Sequence, residues 1–489
     1  MIWLLAAACA LAAIPAGLRW LRVAQREHYL PGEVNRFAIR WWWRTGLPNS
    51  LIHTAAVVAM AWSFFDPRFG FVVALAAAIG PLGLSVRGVT SPLAWTARLR
   101  RLAVSSGGLV LVGIGLGAVL EQPFLIAATL YLIAVVVDLA LWALAPYERR
   151  MGDEWVARAG AKLESIGPEV VAITGSYGKT TTKSYVAHLL GGAKRVVASP
   201  ASFNNRMGLA RAINENLTPG TEVFVAEMGT YGKGEIAELC EWVRPKVAAI
   251  VAIGPVHLER FKTLEAIVAA KSEILDRAEV GVICVDHPLL RDLATARAGM
   301  MRIIEVSTEG GIVVNGETIM PVPEDVFAAN LAVALGICAA LSVDVSSVLG
   351  RAEDLPRAEH RQTVMESTSG FTVVDDTFNS NPAGARSALA ILAREGSGGK
   401  TAVITPGMVE LGRVQDEENQ RFAADAADVV DHLVIVGRTN RNALKTGSAN
   451  RKASVTVVDS REDAVAWARA HLVAGDAVLY ENDLPDHYP

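Results

Sequence analysis

Cysteine is scarce in this chain of 489 residues: four are present, Cys9, Cys240, Cys284 and Cys338, and no two share a CxxC or metal-type spacing. That pattern excludes a disulfide framework and a zinc site, and it suits reduced thiols in a cytosolic domain. Positive charge is not in excess either. The net charge is −4, which leaves no global basic balance for nucleic acid. Charged residues of both signs reach only 20% while apolar residues make up 52%, and the mean hydropathy is positive. A wholly soluble enzyme is less greasy than this, and the apolar excess sits at one end. The length itself leaves room for three units at roughly 100–200 residues per domain.

Apolar runs at about 2–18, 47–65, 69–86, 103–120 and 123–146 fill the N-terminal 150 residues. Each approaches the roughly 17–25 residues that a helix needs to cross a bilayer. ACALAA resembles a signal-peptide cleavage region, but no basic segment precedes it and four more runs follow, so the first run reads as a span. Arginines set the orientation. Arg19, Arg22, Arg26, Arg36, Arg40 and Arg44 follow the first run; Arg87, Arg98, Arg100 and Arg101 follow the third; Arg149 and Arg150 follow the fifth. The other connections hold Arg68 beside Asp66, and Glu121-Gln122. Arginine-rich loops stay cytoplasmic, so the expectation is about five helices with the N-terminus outside and everything after 150 inside. Trp41-Trp42-Trp43 beside Arg44 suits an interfacial aromatic belt or a platform for a lipid substrate. His53 and Asp138 fall within predicted spans, where an ionisable group is costly; a mutual pairing, or burial of Asp138 against a neighbouring helix, accounts for them equally well.

From about 165 the periodicity changes. EVVAITG (169–175) is a short β-rich run ending on glycine, and TTKSYVAHLLGG (181–192) is a helical pattern closing on glycines. Strand, glycine turn and helix is the setting of a phosphate loop, because a helix N-terminus and successive backbone N–H groups face the anion. In AITGSYGKTTTK, Lys179 is placed to reach the β- and γ-phosphates and the Thr180 hydroxyl to bind Mg²⁺. The spacing is GxxGKT, two residues shorter than the general phosphate-loop pattern GxxxxGKT. After about 360, strands (FTVVDD, TAVITPG, HLVIVG, SVTVVD, AVLYE) alternate with helical segments, as in an α/β sheet.

Six motifs follow the glycine loop in order: SFNNRMGLARAI (202–213), FVAEMGTYGKGEIAEL (224–239), IGPVHLERFKTLEAIVAAKSEIL (253–275), AEHRQTV (358–364), VVDDTFNSNPAGARSAL (373–389) and TPGMVELGRVQDEE (405–418). Together with TGSYGKTTT, which is similar to a TGSxGKTTT loop, they resemble the Mur ligase family, ATP-dependent ligases that add amino acids or peptides to peptidoglycan precursors. GEI after Glu227, the His-x-x-x-Phe pattern at 257, AKSEI and DDTFNSNP are most similar to the branch that adds D-Ala-D-Ala. The resemblance covers roughly 165–480. It implies a phosphate-loop central ATP-binding domain (151–356) and a C-terminal Rossmann-like domain (357–489) that brings the amine, while the apolar runs before it give a helical membrane bundle (1–150).

The reaction implied joins a carboxylate to an amine through an acyl phosphate, with ADP and phosphate released. ATP and Mg²⁺ are the implied cofactors. Thr174, Gly175, Ser176, Tyr177, Gly178, Lys179, Thr180 and Thr181 would cradle the nucleotide. Glu227, which ends the strand-like EVFVAE, resembles a Mg²⁺-binding carboxylate, and His257 resembles a ligand of a second Mg²⁺. Lys271 matches a lysine that is carbamylated in these ligases and helps to hold that metal. Asn330 sits where the family contacts adenine, Arg361 matches an arginine that reaches the phosphates, and Asp376 and Asn379 belong to a loop that meets the nucleotide. Asn204 and Asn205 resemble a pair near the acceptor. A polar strand end for Glu227 or His257, an exposed lysine for Lys271, and a helix cap for Asn330 are the plain alternatives.

Two departures put the substrate in doubt. The domain that reads the UDP of the sugar-peptide precursor is absent, with membrane-type helices in its place. Where the D-Ala-D-Ala branch carries Lys-Gly-Ser after its last strand, this chain runs LYENDLPDHYP; Glu481, Asp483 and Asp486 suit an amine or a cation, or form a solvated acidic tail. The implied partners are a cell-envelope precursor with a free carboxylate, peptidoglycan-type and lipid-linked, then an amino-acid or dipeptide amine and the lipid bilayer, with no nucleic acid. A poly-γ-glutamate-synthase-like polymer ligase is the nearest rival. An ATP-driven transporter lacks its signature motif after the loop. A membrane kinase has no use for the His257 and Lys271 pair, and a dead scaffold is at odds with intact Lys179, Glu227, His257 and Lys271.

Overall fold

The computed structural model describes every residue except 45, 87–92, 201–202, 324–325, 357–361, 378–379, 397 and 485–489. Arg361, Asn379 and Asp486 therefore lie outside the described residues. The chain divides into two compact units at Met151/Gly152.

In the first unit all five apolar runs are helical, as Ile2–Arg26, Leu47–Trp62, Arg68–Ile79, Ala97–Val119 and the pair Pro123–Tyr131 and Ile133–Ile166; a further helix, Glu33–Arg44, lies between the first two. Fewer of them than expected are long enough to span. Ile2–Arg26 and Ala97–Val119 qualify by length and composition, and the pair, bent by 68°, supplies a third if it counts as one broken span. The run at 69–86 yields only 12 helical residues. It ends at Ile79 because Gly80-Pro81 follows, and a proline lacks an N–H and disfavours the helical conformation in the residue before it. The carbonyls freed there are not orphaned: the Arg19 guanidinium donates to those of Ala77, Ala78, Gly80 and Leu84.

Asp138 is buried, and it accepts from the backbone N–H groups of Gly32 (3.0 Å) and Asn35 (2.9 Å) at the start of the helix Glu33–Arg44. It is a capping carboxylate delivered from another helix. The pairing with His53 does not form. His53 instead lies 3.2 Å from the Tyr131 hydroxyl and stacks on Trp42.

The second unit holds two sheets. The central one contains β1 (Glu169–Thr174), β2 (Val196–Ala198), β3 (Val223–Glu227), β4 (Val247–Ile250), β5 (Val280–Cys284), β6 (Arg302–Ser307), β7 (Ile312–Val314) and β8 (Glu317–Met320), in the order β2-β3-β1-β4-β5-β6-β7-β8. The first six are parallel, and β7 and β8 close one edge as an antiparallel pair. Strands such as VFVAE are buried along their whole length because helices cover both faces. Val171 and Ile173 of β1 face the helices Lys179–Leu190 and Ala328–Ala340. Val170 and Ala172 face the helix Arg206–Asn216, the helix Glu235–Val243 and the end of Ile133–Ile166.

The second sheet contains β9 (Thr363–Glu366), β10 (Thr372–Asp376), β11 (Thr401–Thr405), β12 (His432–Val436), β13 (Ser454–Val458) and β14 (Ala477–Glu481), ordered β13-β12-β11-β14-β10-β9. All neighbours are parallel except β9 with β10. This is the α/β sheet that the alternating pattern after 360 predicts.

Strand order decides where a ligand belongs. From β1 the chain moves one way to β3 and β2, then returns to place β4, β5 and β6 on the other side. The carboxyl end of β1 is therefore a switch point, where the connections diverge and leave a crevice. The glycine loop starts there.

Candidate active site

The loop Gly175–Gly178 joins β1 to the helix Lys179–Leu190. Gly178 has φ 76°, and a Cβ on it would come within 2.2 Å of Asn330 Oδ1 and 2.9 Å of Val251 Cγ1. Only glycine makes that turn. Ser176 N–H donates to the Ala252 carbonyl at 2.7 Å, which ties the loop to the segment after β4. The Thr174 hydroxyl donates to the Met228 carbonyl at 2.8 Å, so it braces β1 against β3. Lys179 Nζ folds back onto the Gly175 carbonyl at 2.8 Å, across the mouth of the loop.

Glu227 ends β3 beside β1, in register with Ile173. Its Oε2 accepts from Thr180 Oγ1 at 2.9 Å and from Lys183 Nζ at 3.0 Å; its Oε1 accepts from Asn204 Nδ2 at 3.0 Å. The carboxyl is buried, which alone pushes its pKa up, but Lys183, Lys179 and Asn204 outweigh that and hold it below the usual carboxylate value. It stays ionised at the head of the phosphate loop. Asn204 is thus a support for Glu227, while Asn205 caps the helix Arg206–Asn216 by accepting from Gly208 N–H at 2.9 Å.

These residues fit Mg²⁺. Its bonds of about 2.1 Å in octahedral geometry put neighbouring ligand oxygens roughly 3.0 Å apart, and it keeps several waters and phosphate oxygens instead of a full protein cage. Thr180 Oγ1 and Glu227 Oε2 stand at that separation. No group of three or more His, Cys, Asp or Glu side chains converges among the described residues.

His257 follows β4 in a left-handed turn (φ 60°) and opens the short helix Leu258–Phe261. Its Nδ1 lies 2.5 Å from Glu410 Oε2, and its ring meets Tyr231 edge-on at 5.0 Å. Lys271 is buried on the helix Leu264–Ser272, with no hydrogen bond or ion pair among the described residues. Burial and, secondarily, the nearby Lys179 push its amine well below the ordinary lysine value. The Glu273 of the same AKSEI motif is structural: it accepts from Gly234 and Ala237 N–H and caps the helix Glu235–Val243. Asn330, buried in the first turn of Ala328–Ala340, lies against Gly178. Thr181 is buried in the helix behind the loop.

The C-terminal sheet puts Asp376, Glu481 and Thr405 at the carboxyl ends of the neighbouring strands β10, β14 and β11. Glu481 is no part of a solvated tail. It is fully buried and accepts from the Ser380 and Thr405 hydroxyls, and burial raises its pKa despite those two bonds.

Two participants escape the sequence reading. Lys183 lies one helical turn beyond Lys179, so the spacing alone held the signal. Glu410 reaches His257 from 153 residues away, which no local pattern discloses.

A phosphate loop at a switch point, a lysine across it, and a threonine–carboxylate pair beside it mark an α/β core built to bind the phosphates of a nucleotide. The comparisons with known proteins agree. Residues 173–330 match the Mur ligase middle domain, and residues 360–480 match the Mur ligase glutamate ligase domain. The UDP-N-acetylmuramoyl-tripeptide–D-alanyl-D-alanine ligase of Mycobacterium leprae is 31% identical over 376 residues, covering 65% of this chain and 72% of that one. The enzyme of the same name from Bacillus subtilis is 26% identical over 347 residues, covering 66% and 75%. Among solved structures, MurF ligase from Thermotoga maritima in complex with ADP superposes with a TM-score of 0.58 at 26% identity, covering 68% of this chain and 80% of that one. The chain belongs to the Mur ligase family. It is an ATP-dependent, ADP-forming amide ligase that uses Mg²⁺.

Proposed function

We propose that this protein is a membrane-anchored, cytosol-facing ligase that joins an amino acid or dipeptide, D-Ala-D-Ala or a near analogue, to the free carboxylate of a peptidoglycan-type precursor. The observation that carries the chemistry is the Thr180–Glu227 pair at the head of the phosphate loop, braced by Lys183. ATP supplies the phosphoryl group that turns an unreactive carboxylate into an acyl phosphate open to amine attack. In this reading Lys179 and the loop N–H groups hold the phosphates, and Gly175, Ser176, Tyr177 and Gly178 shape the cradle. Thr180 and Glu227 hold one Mg²⁺; His257 and Lys271, the latter as a carbamate, serve a second. Asn330 meets the base, and Arg361, Asp376 and Asn379 approach the nucleotide from the C-terminal domain.

Membrane anchoring is supported by what the first unit exposes. Trp3, Leu4, Leu11 and Ile14 on the first helix, and Val104, Leu111, Val112 and Val119 on Ala97–Val119, are all at least 60% exposed, more apolar surface than a water-facing helix carries. Three spans orient the chain as five would. With Ile2–Arg26, Ala97–Val119 and the bent pair as the spans, the arginines of 19–44, those of 98–101 and the pair 149–150 all fall on one side, which the charge rule makes cytoplasmic. Neither matched family region includes any of residues 1–151. A bilayer anchor in that stretch suits an acceptor that is itself lipid-linked.

Mass spectrometry of lipid-linked and UDP-linked envelope precursors, in a strain lacking the gene beside its parent, tests the proposal. Loss of one amino-acid or dipeptide mass from a lipid-linked species is the expected result. Truncation of UDP-peptides alone would make the acceptor soluble. No change in either pool would remove peptidoglycan and turn attention to a secreted amide polymer.

A further inference from the structure

Glu410 lies on the loop after β11 of the C-terminal sheet, and His257 lies after β4 of the central sheet. They meet across the two sheets at 2.5 Å, Glu410 Oε2 to His257 Nδ1. Both residues hold left-handed backbone, with φ 64° and 60°. Such conformations are strained for residues with a side chain and persist only where the surroundings over-determine them. The same loop makes a second close approach. At Gly412, φ 60°, a Cβ would come within 3.0 Å of Glu259 N and 3.1 Å of the Leu258 carbonyl carbon, so the loop seats on the His257 turn only because that residue is glycine. Tyr231 closes another side of the ring, edge-on at 5.0 Å, with the Arg260 guanidinium over its own face. His257 Nε2, by contrast, makes no hydrogen bond among the described residues.

From this geometry we infer that Glu410 is a positioning residue for the reaction. It accepts Nδ1–H, fixes the tautomer that keeps the lone pair on Nε2, and so presents that nitrogen to a divalent cation. A carboxylate behind a metal-binding histidine sets both ring orientation and basicity. Because Glu410 travels with the C-terminal sheet, the imidazole is held only while that domain is seated. The domain that brings the amine thus completes the cation site on the central domain, and phosphoryl chemistry is favoured only with the amine domain docked. The inference rests on the reading of His257 as a cation ligand.

The test uses the full-length protein in nanodiscs with Mn²⁺ alone as the probe, followed by electron paramagnetic resonance, so that no turnover is needed. Glu410→Ala is expected to weaken His257-dependent Mn²⁺ binding about ten- to a hundred-fold. Glu410→Gln, whose amide oxygen still accepts Nδ1–H, is expected to keep most of it. The double variant His257→Ala/Glu410→Ala should bind no more weakly than His257→Ala, since the two residues act through one ring. If His257→Ala weakens binding while Glu410→Ala binds as the parent does, or if the two losses add in full, the positioning role is overturned. If His257→Ala itself leaves Mn²⁺ binding unchanged, the ligand reading of His257 falls and takes this inference with it, while the precursor experiment above stands apart. Melting temperatures of the parent and all four variants separate lost folding from lost positioning, because Glu410→Gln and Glu410→Ala then differ in Mn²⁺ affinity at equal stability.

Discussion

Lys183 Nζ donates to Glu227 Oε2 at 3.0 Å, and the two side chains are 5% and 2% exposed. A charge pair so dry is costly to break from one side, because the surviving charge is left desolvated; the expected loss is about 3–5 kcal/mol. Lys183→Met should show it in denaturant unfolding, alongside a large loss of ATP binding. The pH dependence follows from the lowered Glu227 pKa. A carboxyl with a folded value below its unfolded one stabilises the fold above the ordinary value and loses that contribution as pH falls through the lowered one. Removing Lys183 removes the first of the pulls that offset burial, so the folded value rises and the stability of the variant, lower at neutral pH, should fall less steeply with acid than that of the parent.

The loop at 175–180, its flanking strand and helix, and the placement of Glu227 at a strand end were legible because each is local: period-two and period-3.6 patterns with glycines between. What surrounds Glu227 was not. Asn204 and Lys183 reach it from different segments, and one sequence carries no signal for that convergence. The helical unit was legible as helices but not as five equal spans, since an apolar run does not reveal that Gly80-Pro81 ends one helix or that a bend near Leu132 splits another. Glu481 misled most. An acidic string at the end of a chain reads as solvent-facing, but its first member continues the buried strand β14.

Gly178→Ala is expected to disable the nucleotide site. The left-handed φ of 76° alone strains alanine by about 1–3 kcal/mol. The 2.2 Å approach to Asn330 Oδ1 adds a clash that must push Asn330 or the loop aside. Isothermal titration with a non-hydrolysable ATP analogue should report the loss. Retained affinity would mean that the loop rearranges on binding.

Glu481→Gln should stabilise the protein near neutral pH. The folded carboxyl has a pKa above its ordinary value of 4.5, first because of burial. With the folded value raised, the native state binds more protons than the unfolded one, so parent stability falls as pH rises from the ordinary value through the raised one. The glutamine cannot ionise, and its amide still bonds with the Ser380 and Thr405 hydroxyls. Melting curves between pH 4 and 8 should therefore be flatter for the variant, with the two proteins converging at the acid end. A parallel pair of curves would show that Glu481 does not titrate in this range.

Lys271 is the complementary case. Its folded pKa lies well below the ordinary 10.5, so the unfolded state binds more protons and parent stability rises with pH between the two values. Lys271→Met removes a desolvated amine and should raise the melting temperature at neutral pH. Ligation should fall by at least about a hundredfold, the scale of losing one preorganised electrostatic group. The lowered value also leaves more neutral amine, the form that takes up carbon dioxide. A carbamate resonance in the parent after incubation with ¹³C-bicarbonate, absent from Lys271→Met, is the expected spectroscopic result. Its absence from both would leave Lys271 as an amine facing the phosphates, and Lys271→Arg would then keep much of the activity that a carbamate-dependent site must lose.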